Sequence, residues 1–180
     1  MHDKQFWDIL HAGCDPGASP DDWGGTLHAQ LVRLPPPEIV HFDWLFDAKT
    51  AAAYTRDLWG AAYLINGGAS DDGFYYFRCW LVGRGKKVYE AALANPDSLA
   101  AVVHPDHDYE AGIYSTAHHA WCQVTGQPET TPMDDGWLGP RPVQPALGPR
   151  WNFDDDAEVR RRFPRLAAVY LTDEDEDEDA

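Results

Sequence analysis

The chain is short of positive charge, of cysteine and of long apolar runs, and each shortage excludes a class of protein. Only 14 Lys and Arg stand against 30 Asp and Glu in 180 residues, a formal net charge of -16. Nucleic-acid binding relies on cationic side chains that displace counterions from phosphates, so this balance argues against direct contact with DNA or RNA. The same field disfavours anionic membrane surfaces, and the sign fits a basic protein partner better. Residues 173–179 (DEDEDED) supply seven of the negative charges, yet the rest still sets 23 acidic against 14 basic residues.

Three cysteines, Cys14, Cys79 and Cys122, are an odd number in separate contexts, poor material for a disulfide framework, and reduced thiols are expected. No stretch of 18 apolar residues occurs, and the opening MHDKQFWDIL carries charges where a signal peptide needs an uninterrupted apolar run, so a cytoplasmic location is expected. Motifs are missing too. The sequence has no GxSxG elbow, no GxxxxGK[ST] phosphate loop, no GxGxxG after a strand, no HExxH and no paired CxxC, so no cofactor is expected.

What is present is bulk: 44% hydrophobic residues, 13% aromatics and 8 Trp, enough to close the core of a single domain. Apolar residues recur at spacings of three and four. Phe6, Ile9 and Leu10 predict a helix over residues 3–11; Ser19, Pro20, Asp21 and Asp22 predict a helix start, with Leu27, Leu31 and Leu34 on one face. Residues 38–65 contain no proline and read as one long helix or two abutting ones, with Gly60 the weak point. Phe74, Phe77 and Leu81, with Tyr76 and Trp80 as a second line, predict a mostly buried helix from which Tyr75 falls toward the surface. Val88, Tyr89, Ala92 and Leu93 predict the next inward face, and Ile113, Ala117, Trp121 and Val124 another.

Six prolines between Gln127 and Arg150 enforce an extended connection, bracketed by Trp137 and Trp151 as potential anchors, before a last helix over residues 155–163. Strand signals are confined to AVYL and AAVVH. The expected fold is therefore all-α, an irregular orthogonal or antiparallel bundle of six to eight helices, with a domain over residues 1–126, a Pro-rich extension with a short helix packing on it over 127–172, and a disordered acidic tail over 173–180.

The sharpest local feature is NGGASDDGFYYFRCW, residues 66–80. Asn66, Gly67 and Gly68 tolerate positive φ and end one helix, Ser70 caps the next, and Asp71 and Asp72 sit in its first turn, where the dipole favours negative charge. The reading is a helix-to-helix corner. With Asp57 and Arg78 these polar residues form the candidate binding set Asp57, Asn66, Ser70, Asp71, Asp72 and Arg78, although Asp57 lies about two and a half turns from the corner. Metal binding is the next option, since His118 and Cys122 stand four apart with His119 beside them and His104 and His107 nearby. One defined pair is too few, and no metal is expected. Cys79 follows Arg78, but sequential helical residues diverge by about 100 degrees, so Cys79 is expected to be buried rather than activated.

The run DLWGAAYLINGGASDDGFYYFRCWLVGRGKKVYEAALANPDSLA, residues 57–100, resembles the core of a bacterial domain-of-unknown-function family, number 4240, and KQFWDIL is similar to that family's opening helix. The resemblance spans roughly the first 125 residues. It implies one intact domain and carries no activity with it. The function expected is an acidic, regulatory or immunity-like interaction module. The alternatives are an enzyme with an unfamiliar site at the corner, or a metal-dependent hydrolase on His118, His119 and Cys122.

Overall fold

A computed structural model describes residues 1–105 and 107–171. Among these residues there are nine α-helices, joined by short 3-10 turns, and no strand. They are α1 (Asp3–Gly13), α2 (Trp23–Leu31), α3 (Pro36–Ala52), α4 (Arg56–Ile65), α5 (Asp71–Gly83), α6 (Lys86–Ala94), α7 (Thr116–Thr125), α8 (Asp156–Arg162) and α9 (Pro164–Tyr170). The all-α class expected from the 3.6-residue periodicity is the class observed. The acidic tail over 173–180 lies outside the described residues.

Several helices begin where a neighbouring side chain satisfies a free amide of the first turn. Ser19 Oγ accepts from Asp21 N (3.4 Å) as the chain turns into α2. Thr55 Oγ1 accepts from Leu58 N (3.3 Å) and starts α4, which is why the proline-free segment is two helices, broken at Ala53–Thr55. Ser70 Oγ accepts from Gly73 N (3.1 Å) and starts α5. The corner before it closes as its residues predict: Asn66 is the C-cap of α4, and Gly67 and Gly68 carry φ of 64° and 133°.

The core is continuous from end to end. Phe6, Leu10, Trp23, Leu27, Phe42, Leu58, Phe74, Phe77 and Trp80 are buried in one cluster, which also contains Val159, Phe163 and Leu166 from α8, α9 and the residue between them. Helix α5 is buried along its whole second half, residues 77–83. Fully burying one such side chain contributes about 1.5–3 kcal/mol, so the C-terminal helices are part of what holds the fold. Helices α1 and α2 approach closely because Gly13 has no side chain; a Cβ there would lie 2.8 Å from Leu27 Cα.

Several expectations are corrected. Leu93 and Val124, read as inward, are 37% and 38% exposed, because each falls at the edge of its helix's apolar stripe. Trp137, read as a buried anchor, is 57% exposed, standing edge-on to His41 and donating from Nε1 to Asp134 O (3.2 Å). Tyr75, read as a surface residue, is half-buried against Arg78 and the rings of Tyr76 and Tyr114. Residues 168–170 of the AVYL segment are helical, in α9, with Leu171 as its C-cap.

Candidate functional site

The six polar residues of the corner go to different places. Asp57 Oδ1 accepts from Trp151 Nε1 (3.0 Å) and Arg162 NH1 (2.8 Å), so it holds the C-terminal segment. Asn66 Oδ1 accepts from Tyr109 N (3.2 Å) and fixes a neighbouring loop. Ser70 is occupied as a cap, while Asp71 and Asp72 stand exposed in the first turn of α5. Arg78 is buried. Its NH1 donates to Thr50 O (2.7 Å), its Nε to Phe74 O (3.3 Å), and the rings of Tyr54, Phe74 and Tyr75 lie about its guanidinium. None of the six lines either of two clefts, of about 800 and 890 Å3, on other parts of the surface.

The histidines and cysteine of α7 also part company. His118 Nε2 lies 2.8 Å from Thr131 O and 3.6 Å from Cys122 Sγ, whereas His119 is exposed and lines the 800 Å3 cleft opposite His28. Among the described residues no three His, Cys, Asp or Glu side chains are placed to hold a metal ion. Cys14 and Cys79 are inert by burial, which pushes both thiols up to about 12.

A polar cluster does assemble elsewhere, on helix α3. Asp43 and Asp47 stand four residues apart and so share one face, where two carboxylates repel. Asp43 is 9% exposed. Burial, and then the charge of Asp47, push its carboxyl up to about 6, against the pull of Arg141 and His118; burial raises Asp47 as well. What makes the pair tolerable is a guanidinium. Arg141 NH1 reaches Asp43 Oδ2 (3.0 Å) and Asp47 Oδ2, and its Nε pairs with Asp135.

Arg141 arrives on the Pro-rich segment, which crosses α7 and then α3 as a strap. Cys122 Sγ donates to Pro128 O (3.7 Å) and His118 meets Thr131 O on α7; Trp137 stands edge-on to His41 at 5.9 Å and Arg141 closes the crossing on α3. Beyond Arg141 the strap is open to solvent, with Val143 86% exposed. Three carboxylates around one guanidinium leave two formal negative charges in excess.

Sequence reasoning missed this cluster, although two signals carried it. HFDWLFDAK sets two acids at an interval of four inside an apolar helix, and Arg141 is the one basic residue between Gln127 and Pro149. Their pairing spans 98 and 94 residues, beyond any local rule.

The fold and this cluster define an all-α domain crossed by a strap that carries its own cation to an acidic helix face. Residues 1–122 match the family model described as "Protein of unknown function (DUF4240)", and the chain belongs to that family. No match was found among curated proteins or among solved structures. The strap and the helices after it lie beyond the matched residues. Among the described residues no helix is long and apolar enough to cross a membrane.

Proposed function

We propose that the chain is an acidic interaction module, regulatory or immunity-like in kind, that takes a basic protein partner on the face of α3. The observation that carries this reading is the Asp43–Asp47 pair, whose carboxylates are turned to a guanidinium and hold excess negative charge around it. The overall charge of -16 acts in the same direction, attracting a cationic protein and repelling nucleic acid and anionic membrane.

The test is affinity capture with the full chain beside its Asp43→Asn/Asp47→Asn variant. A stoichiometric basic partner that is retained at low salt, released near 0.5 M salt and lost by the variant is the expected result. A partner captured equally by both proteins overturns the assignment to α3, and capture of nothing above background overturns the module.

A further inference from the structure

Three features of the strap bear on what the α3 face binds. The first is how the strap is held. Among the described residues, no backbone hydrogen bond joins residues 140–150 to the helices, and Pro140, Val143, Gln144 and Pro145 are exposed. Little apolar surface therefore secures this part of the chain, and Arg141 is its polar attachment.

The second feature is the local sequence, Gly139-Pro140-Arg141-Pro142. Proline on both sides fixes φ near -65° and removes two backbone donors, so the arginine is presented from an extended, preorganised segment that needs no sheet or helix around it. Such a segment is portable: its recognition lies in one side chain and a stiff backbone, as in proline-rich peptides that bind preformed grooves.

The third feature is the receiving side. A buried carboxylate without a cation is costly, so the Asp43–Asp47 pair tolerates a change of cation far better than the loss of one. With the strap in place NH1 is shared between Asp43 and Asp47, one helical turn apart, while Nε lies in ion-pair range of Asp135. Asp135 belongs to the strap and would leave with it, so an incoming arginine meets Asp43 and Asp47 with one competing acid fewer.

We infer that Asp43 and Asp47 form an arginine-receiving site whose intramolecular occupant is Arg141, and that a partner binds by inserting an arginine of a proline-flanked extended segment in its place. This deepens the proposed function and rests on it. Intramolecular occupancy has a defined strength: a tethered ligand acts at an effective concentration on the order of millimolar, so a free competitor must exceed that or bind more tightly. The strap thus sets a threshold that screens out weakly basic proteins and admits a segment with additional contacts.

The probe is a fluorescein-labelled peptide of residues 134–145 of this chain, followed by anisotropy against the full-length protein. The Arg141→Ala protein is expected to bind it at least tenfold more tightly than wild type. Binding is expected to fall at least tenfold when the peptide's arginine is replaced by alanine, or when Asp43→Asn and Asp47→Asn are added to the Arg141→Ala protein. Circular dichroism and a thermal melt establish that each variant is folded, and Arg141→Lys, with a weaker attachment, is expected to fall between wild type and Arg141→Ala.

Equal affinity in wild type and Arg141→Ala, or equal binding of the arginine-free peptide, overturns the exchange. No peptide binding by folded Arg141→Ala also overturns it. If a salt-labile partner is still lost on substituting Asp43 and Asp47, the exchange falls alone and the interaction surface stands.

Discussion

The carboxylate of Asp97, 4% exposed, caps the first turn of α9 from 68 residues away: Oδ1 accepts from Arg165 N (3.0 Å) and Leu166 N (2.9 Å), and Oδ2 from Arg165 Nε (3.1 Å). Arg165 NH2 donates as well, to Asp97 O (2.8 Å). One acid thus serves helix initiation, charge pairing and attachment of the C-terminal helices together. Removing it strands two amides and frees a cation, so Asp97→Ala is expected to destabilise the protein by about 3 kcal/mol. Urea unfolding checks this, and a loss below about 1 kcal/mol would mean that water replaces the carboxylate without penalty.

Glycine makes opposite predictions at two helical positions. A Cβ on Gly60 would overlap the Trp151 ring, so Gly60→Ala must push the indole aside. The expected loss is about 1–3 kcal/mol despite a helix-propensity gain of about 1 kcal/mol. Gly25, in α2, has nothing within 4 Å of its hypothetical Cβ, and Gly25→Ala is expected to stabilise by about 0.5–1 kcal/mol. Paired denaturation curves, with indole fluorescence to follow Trp151, separate the two effects.

Acidity acts on Asp43 and Asp3 with opposite signs. Asp43 is raised to about 6, so folding takes up a proton; the stability this gives is fully present below about pH 4 and is lost as pH rises through about 6. Hydrogen bonds from Lys49 and Lys86 hold Asp3 down at about 2, so its contribution is present above about pH 4 and is lost as pH falls toward 2. Asp43→Asn is therefore expected to flatten the stability profile between pH 4 and 6, and Asp3→Asn to flatten it below pH 4. Unfolding free energies measured from pH 2.5 to 7.5 test both, and an unchanged slope in either window contradicts that assignment.

Thiol chemistry follows burial. With Cys14 and Cys79 both near 12, roughly one thiol in ten thousand is ionised at pH 8. Iodoacetamide is expected to leave both unmodified in the native protein and to label them in urea, with the modified sites read by mass spectrometry. Rapid native labelling of Cys79 would show that α5 opens locally.

Much of this architecture was legible because it is local. Ser19, Ser70 and the glycines after Asn66 act within one turn, and Phe74, Phe77 and Leu81 announce their buried face through spacing alone. Gly60 was visible only as a weakness, since the indole that needs its bare backbone lies 91 residues downstream. The corner residues are neighbours in sequence, but helical geometry turns Arg78 inward to Thr50 and gives Asp57 to Arg162. Asp43, Asp47 and Arg141 stayed hidden for the same reason. Their relationship depends on where a proline-rich segment lands, which no periodicity encodes.

The seal that Val159, Phe163 and Leu166 make over the common core separates two lengths that are easily confused. The family likeness stops at residue 122, yet the apolar interior is finished by side chains some forty residues later. A graft cut at the likeness would carry an open seam, so any chimera or minimal fragment of this protein has to run through α9 to behave as a solid body.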